Sequence, residues 1–171
     1  EGGETYICGN PPYKGSQDQT AQQKKDLELA FGGRIKSTKS ADYVSGWFIR
    51  GRDYVSSVPS KFAFVATNSI NQGRQVALYW PTILGNDLEI AFAVPSFPWR
   101  NLAAKSAVVT VSIIGIARRS TQPKQLYTGE TVQSAAYIGP YLVPDHDVIV
   151  ESRKGPLSDL GSMDFGSMPN D

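Results

Sequence analysis

Four apolar runs divide the first 118 residues of the chain, and helical patterns separate the first three of them. The runs occupy residues 5–9, 62–66, 88–94 and 107–116. Alternation of strands and helices is typical of a parallel sheet, because parallel neighbours need a long crossover connection that a helix usually supplies. No helical pattern precedes the fourth run, so its connection favours an antiparallel strand. The sequence therefore predicts an α/β fold whose sheet is mostly parallel, with an antiparallel last strand.

The predicted helices lie where apolar side chains recur at helical spacing, at residues 24–31, 40–55 and 72–84. Gly32-Gly33 ends the first helix, and Ser40 can cap the second. Pro81 is expected to kink the third helix or end it early, because proline lacks the N–H that a helix interior needs.

The character of the sequence changes after residue 119. Residues 120–171 are rich in Gly and Pro, a composition typical of loops and turns. We therefore divide the chain into a sheet-forming part, residues 1–119, and an irregular arm, residues 120–171, that would lead into a further domain.

The composition excludes several classes of site. One cysteine and one histidine do not make the ligand sets of zinc sites, so no metal centre is expected, and most mechanisms with a histidine base are excluded. The longest nearly apolar stretch, residues 107–117, falls well short of the roughly 20 residues that a membrane span needs. No basic-then-apolar leader is visible, and we expect a cytoplasmic protein without a membrane partner.

Asn10-Pro11-Pro12-Tyr13 is the most informative motif, and it directly follows an apolar run. The simplest interpretation is an ordinary turn after a strand. The same residues suit another task, which is holding the exocyclic amino group of a nucleobase. That group is a weak nucleophile, because its lone pair is delocalised into the ring.

An asparagine oxygen and a proline carbonyl can both accept hydrogen bonds from such an amino group and direct its lone pair at a methyl group. Proline suits the task because its fixed φ keeps the carbonyl rigid. An aromatic ring at Tyr13 can stack on a base taken out of the duplex. This chemistry serves adenine N6 and cytosine N4 equally.

The motif resembles the catalytic loop of the amino-methyltransferases of adenine or cytosine. Further segments resemble the MmeI-like DNA adenine methyltransferases, which are large single-chain restriction–modification enzymes. In chain order these segments are residues 67–76, 78–81, 97–101, 107–109 and 141–171. The resemblance implies the substrate-side half of a Rossmann-like class I methyltransferase fold, followed by the start of a target-recognition region. It also implies site-specific adenine-N6 methylation of DNA with S-adenosylmethionine, in a bacterial restriction–modification system.

The resemblance also implies roles for single residues. Asn10, Pro11, Pro12 and Tyr13 would be catalytic, with Asn10 also contacting the cofactor. Tyr13 and Phe97 would hold an adenine flipped out of double-stranded DNA.

Two further assignments have plain alternatives. Trp99, which shares a predicted loop at residues 95–105 with Phe97, is a second candidate for holding the base. Ordinary packing at a sheet edge would explain both rings equally well. Asp42 lies where related enzymes place a helix near the cofactor, although a surface acid beside core aromatics explains it too.

One departure from the family pattern has a physical consequence. Related enzymes bind S-adenosylmethionine with a glycine-rich turn and an acidic residue, both before the catalytic loop, whereas only nine residues precede Asn10 here. We therefore expect a fragment of a longer polypeptide, which is inactive when isolated. Its first strand would have an unpaired edge, so self-association is a physical risk.

The charged residues nearly balance, with 17 basic and 16 acidic side chains, which excludes binding by overall charge but not by a local basic patch. Basic residues crowd two regions and could position DNA phosphates: Lys24, Lys25, Arg34, Lys36, Lys39, Arg50, Arg52, Lys61, Arg118, Arg119 and Lys124. Two other functions stay open. One is methylation of a protein glutamine, as in release-factor modifiers that share the motif, and the other is a non-catalytic DNA-binding or scaffold role.

Overall fold

The computed structural model of the protein describes residues 4–99, 109–146 and 148–151. Its strands form one sheet of six members: β1 Thr5–Gly9, β2 Ser60–Thr67, β3 Leu88–Trp99, β4 Val109–Arg118, β5 Lys124–Thr128 and β6 Thr131–Ala135. Their spatial order is β1-β2-β4-β3-β5-β6. Strands β1, β2, β3 and β5 run in one direction, and β4 and β6 run in the other. The predicted α/β class is confirmed, and β4 is the predicted antiparallel strand.

The helices are α1 Ala21–Phe31, α2 Ser45–Ser57 and α3 Gly73–Leu84, with a 3₁₀ turn, Asn68–Asn71, before α3. Helix α1 begins with a capping box between Thr20 and Gln23, and Gly32 ends it in the left-handed conformation. Helix α2 begins at Ser45 rather than near Ser40, because hydrogen bonds from residues 41–43 to other segments compete with the helical pattern.

Of the two effects expected of Pro81, a kink or an early end of α3, the early end is wrong. The helix continues to Leu84, and the residues on either side of the proline, Trp80 and Ile83, are fully buried. The Trp80 indole N–H also donates to the Ile70 carbonyl at 2.7 Å. Burial of these side chains offsets the hydrogen bond that the proline removes.

The core lies on one face of the sheet, where aromatic rings of α2, β2 and α3 meet. Phe48 packs against Phe62, Phe64 and Trp80, with ring centroids 5.9, 5.4 and 5.9 Å apart. The alternation of buried Phe62, Phe64 and Ala66 along β2 is the period-2 pattern of a strand covered on one side. Strand β1 was expected to be buried, but its residues are half-buried or exposed, because it lies at the end of the sheet with only β2 beside it in the described structure.

Strand β3 extends through Phe97 and Trp99, into the segment predicted to be a loop. Phe97, Pro98 and Trp99 pair with Val111, Thr110 and Val109 of β4. A register shift between Val94 and Phe97 accommodates the sequence around Pro95, which has no N–H to donate to the ladder. Residues 100–105 of the predicted loop lie outside the described residues.

The predicted irregular arm begins with regular structure, because β5 and β6 form a hairpin that extends the sheet beside β3. The composition of residues 120–171 did not predict this hairpin, because a buried lysine rather than an apolar run anchors β5. Lys124 Nζ lies 2.8 Å from Glu89 Oε1, and both side chains are almost fully buried. Asn71 then ties the following turn to the core by donating to the Pro140 carbonyl at 2.8 Å. The boundary at residue 119 stays a prediction, and most of the resembling tail, residues 152–171, lies outside the described residues.

The helices in the described parts of the chain are all too short or too polar to cross a membrane.

Candidate active site

The Asn10-Pro11-Pro12-Tyr13 loop begins where β1 ends. Strands β1 and β2 are parallel, with Gly9 opposite Phe64, so the segments that follow both strands lie at the same edge of the sheet. Pro11 is buried and Tyr13 is half-buried against the core, whereas Asn10 and Pro12 are exposed. The loop is therefore anchored by two of its side chains and presents the others outward.

Asn10 is chemically available. Its side chain is exposed and makes no hydrogen bond with any part of the chain that the structure describes. An asparagine held at the carboxyl end of a strand, beside a buried proline, can offer its side-chain oxygen to a ligand without first breaking an internal bond.

A hollow of about 440 Å³ lies beside the loop, between β1 and the outward face of α2. Trp47, Arg50 and Tyr54 line its helical wall. These residues recur at helical spacing, and Trp47 and Tyr54 remain 44% and 43% exposed. Gly51, between them, allows the helix to approach the sheet, because a Cβ there would lie 3.0 Å from the Phe62 ring.

The helical spacing of apolar residues over 40–55 predicts a helix there but gives no indication of this exposed wall. The structure separates two stripes on the helix: Phe48 and Val55 are fully buried, and the aromatic stripe with Arg50 is outside. The arginine within the aromatic stripe was the available signal, since charged side chains are almost never fully buried unless paired.

Phe97 and Trp99 lie together near the end of β3. Their ring centroids are 6.2 Å apart, Phe97 is half-buried and Trp99 is 38% exposed. Because β1 and β3 run in the same direction, this pair and Asn10 lie at the same edge of the sheet. Strands β2 and β4 separate them, which corresponds to roughly 14 Å between strand axes. The two rings therefore lie at the same edge of the sheet as the Asn10 loop, but these two strands separate them from it.

Asp42 is buried and already engaged. Its carboxylate accepts a hydrogen bond from the Ser69 hydroxyl at 2.5 Å, and Ser69 Oγ lies 2.9 Å from Thr67 Oγ1. Burial, reinforced by the negative charge of Asp42, raises the pKa of the nearby Tyr79 hydroxyl well above its usual range. The role of Asp42 in cofactor binding stays a prediction, and in this structure its carboxylate joins residues 41–43 to the segment after β2.

Several of the predicted phosphate-binding residues are bound elsewhere in the protein. Arg34 and Arg52 both contact the Asp53 carboxylate, and hydrogen bonding to Asp53 raises the pKa of Arg34. Lys61 lies over the Tyr6 ring, and Lys124 is buried against Glu89. The side chains that remain exposed without such a partner in the described structure are Lys24, Lys25, Lys36, Lys39, Arg50 and Arg119.

The residues that the structure describes contain no cluster of three or more His, Cys, Asp or Glu side chains that could hold a metal ion. The side chains described around Asn10 include the aromatic rings of Trp47 and Tyr54 and the guanidinium of Arg50.

Comparison with known proteins gives consistent matches. A family described as the DNA-methyltransferase domain of MmeI matches residues 1–128. DNA methyltransferase A of Bacillus subtilis (strain 168) is 42% identical over 169 residues, which cover 98% of this chain and 19% of that protein. The solved structure of the Type IIL restriction-modification enzyme MmeI in complex with DNA superposes with a TM-score of 0.85 at 38% identity, covering 91% of this chain and 22% of that one. The chain thus spans about a fifth of each relative.

Proposed function

Because the chain belongs to the family of the MmeI DNA-methyltransferase domain, we propose that it is the catalytic-loop half of a DNA adenine-N6 methyltransferase in a restriction–modification enzyme. The observation that carries this proposal is the position of Asn10, exposed and without an internal hydrogen bond in the described structure, directly after β1. The relatives, a DNA methyltransferase and a restriction-modification enzyme solved with DNA, support it.

In the proposed reaction, Asn10 Oδ1 and the Pro11 carbonyl accept hydrogen bonds from the two N–H groups of the adenine amino group. These two hydrogen bonds favour a tetrahedral nitrogen whose lone pair points out of the plane of the ring. The fixed φ of proline limits movement of the carbonyl. Bound S-adenosylmethionine would supply the methyl group on its sulfonium. As the N–C bond forms and the sulfonium C–S bond breaks, the surplus proton of the amino group would pass to water, so the loop itself would not have to supply a general base.

The adenine must leave the duplex to reach this loop, as for other enzymes that act on a base. We propose that Tyr13 stacks on the flipped base. Phe97, with Trp99 as the second candidate, would contact the flipped base or its neighbour from the end of β3. The exposed lysines of α1 and of residues 36–39 would contact phosphates, which position the duplex without reading its sequence.

We propose that the rest of the enzyme packs against the free edge of β1 and over the adjoining hollow. The edge presents unpaired backbone groups in the described structure, and Trp47 and Tyr54 expose aromatic surface beside it. Together they form a surface that further strands and helices can cover. The chain spans about a fifth of each relative, so we propose that the isolated chain binds the cofactor weakly, is inactive and tends to self-associate.

The test is Asn10→Ala in the complete enzyme, with tritiated S-adenosylmethionine and a duplex that contains the recognition site. We expect the single-turnover rate of methyl transfer to fall by about 10²–10³-fold, because an acceptor for the reacting amino group is lost, while DNA affinity is retained. Asn86→Ala, at an exposed turn before β3, is the matched control and should transfer normally. Unchanged transfer by Asn10→Ala would contradict the assignment.

The acceptor is identified in the same assay. Duplexes with every candidate adenine replaced by N6-methyladenine should lose label, and duplexes with blocked cytosines should keep it. Labelling of a protein that bears an accessible glutamine, with no labelling of DNA, would favour the protein methyltransferase alternative. In bacteria both DNA and S-adenosylmethionine are cytoplasmic, and we place the enzyme there.

A further inference from the structure

The carbonyl of Lys14, one residue beyond the Asn-Pro-Pro-Tyr motif, accepts two hydrogen bonds. One comes from the Tyr43 backbone N–H at 2.9 Å and the other from the Gln19 side-chain amide at 3.2 Å. The same Gln19 nitrogen donates to the Ala41 carbonyl at 2.9 Å. Both N–H bonds of the amide are therefore used, and Gln19 is 8% exposed.

Residues 41–43 are in turn fixed to the part of the protein that follows β2. The Asp42 carboxylate accepts from the Ser69 hydroxyl, and the Asp42 backbone N–H donates to Gln75 Oε1 at 3.4 Å. Gln75 also donates to the Ser40 carbonyl at 2.8 Å. We call Gln19 together with residues 41–43 the loop brace, because it connects the exit of the loop to the turn after β2 and to the first turn of α3.

Apart from the packing of Pro11 and Tyr13 against the protein, the loop has few other means of holding its shape. Pro11 and Pro12 have no N–H, so they cannot donate backbone hydrogen bonds. Outside the β1–β2 ladder, residues 10–13 take part in no backbone hydrogen bond within the described structure. The burial of Pro11 fixes the entry side of the loop, and the double hydrogen bond at Lys14 fixes its exit.

We propose that Gln19 is a positioning residue of the methyltransferase, which sets the orientation of Asn10 and of the Pro11 carbonyl by holding Lys14. The inference rests on the function proposed above and extends it to a residue that does not touch the substrate. Asp42 is the second member of the brace, and it acts by holding residues 41–43 through Ser69.

The experiment compares Gln19→Ala with Gln17→Ala in the complete enzyme. Gln17 is exposed in the same segment and makes no side-chain hydrogen bond with the described residues, so it is a matched control. We expect Gln19→Ala to lower the single-turnover rate of methyl transfer by about tenfold or more, because small misplacements of reacting groups have effects of this size. The dissociation constants for DNA and for S-adenosylmethionine should be unchanged.

A second readout does not depend on catalysis. Hydrogen exchange of the Tyr43 amide, which donates to Lys14, should accelerate in Gln19→Ala and not in Gln17→Ala. If Gln19→Ala fails to fold, Gln19→Asn serves instead. Its amide is retained but shortened by one methylene, so it should reach only one of the two carbonyls and give the same pattern of effects.

The outcomes separate the two proposals. Loss of transfer in Asn10→Ala with a normal rate in folded Gln19→Ala would overturn the positioning role and leave the proposed function intact. A rate that falls only with the folded fraction, measured by circular dichroism, would also overturn it. Full activity of Asn10→Ala would instead contradict the proposed function itself.

Discussion

The ring of Phe92 lies directly over Gly115, on the neighbouring strand of the sheet. The two residues are paired across β3 and β4, just after a register shift in β3 between Ile90 and Phe92. A Cβ built on Gly115 would lie 2.0 Å from Phe92 Cε1, which is far inside van der Waals contact. The absence of a side chain at Gly115 thus lets the ring lie against the sheet in the register that β3 keeps from Phe92 to Val94.

Gly115→Ala should therefore destabilise the protein. The methyl group forces the Phe92 ring or the strand to move, and overpacking of this kind costs about 1–3 kcal/mol. The measurement is the free energy of unfolding from urea denaturation. Gly15→Ala, in an exposed loop where a Cβ has room, is the control and should stay within about 0.5 kcal/mol of wild type. In a Phe92→Ala background the Gly115→Ala change should cost much less, and an equal cost in both backgrounds would contradict the steric explanation.

Replacing the exposed aromatic side chains beside β1 should reduce self-association without loss of stability. In Trp47→Ser/Tyr54→Ser, two side chains that are 44% and 43% exposed lose their apolar surface while the core stays intact. We expect the weight-average mass from analytical ultracentrifugation to fall at high protein concentration, and the thermal midpoint of unfolding to be unchanged. Val132→Ser, on β6 at the opposite end of the sheet, removes an exposed apolar side chain away from β1 and is the control for position. If it lowers association as much, the β1 side is not the interface.

The interaction of Asp53 with Arg34 and Arg52 should make stability depend on pH. Burial alone would raise the pKa of Asp53, but hydrogen bonds from the two arginines lower it below its ordinary value of 3.8. A carboxyl whose pKa is lower in the folded state adds stability above its unfolded pKa and loses it as the pH falls through the folded value.

Asp53→Asn should therefore be less stable than wild type at about pH 6, with the difference shrinking below about pH 4. Urea denaturation across this range measures it. Asp18→Asn, at an exposed loop position without a side-chain hydrogen bond in the described structure, should show no such trend. A constant difference for Asp53→Asn at every pH would mean that the charge of the carboxylate is not the cause.

The buried Lys124–Glu89 pair should tolerate joint replacement better than single replacement. Lys124→Met leaves the Glu89 carboxylate buried without its cation, a change that typically costs about 3–5 kcal/mol. Lys124→Met/Glu89→Gln removes both charges, while the Gln oxygen can still accept from Ser120, so its loss should be clearly smaller. Chemical denaturation of the two variants decides this. Equal losses would indicate that the hydrogen bonds from Lys124 Nζ to the Ser120 and Gln122 carbonyls, not its pairing with Glu89, anchor β5.

Local patterns were sufficient for the elements that depend on neighbouring residues. Strand β2 and the glycine end of α1 lie where the sequence predicts them, because an apolar run and a helix-ending glycine are signals carried by adjacent residues. The extension of β3 through Trp99 and the hairpin from Lys124 were missed. The β3 extension depends on pairing with β4. Strand β5 joins the sheet by pairing with β3 and through the buried Lys124–Glu89 ion pair, which leaves no apolar signal in the sequence.

The candidate site divides in the same way. Asn10-Pro11-Pro12-Tyr13 could be predicted from the sequence, because strand, proline and aromatic side chain are adjacent and their chemistry is local. Only the tertiary structure decided that β4 lies between β2 and β3, which separates Phe97 from the loop, and that Gln19 and Asp42 form bonds with segments 22 and 27 residues away. Such contacts require chain segments to meet in space, and sequence periodicity carries no information about which distant polar group will lie opposite another.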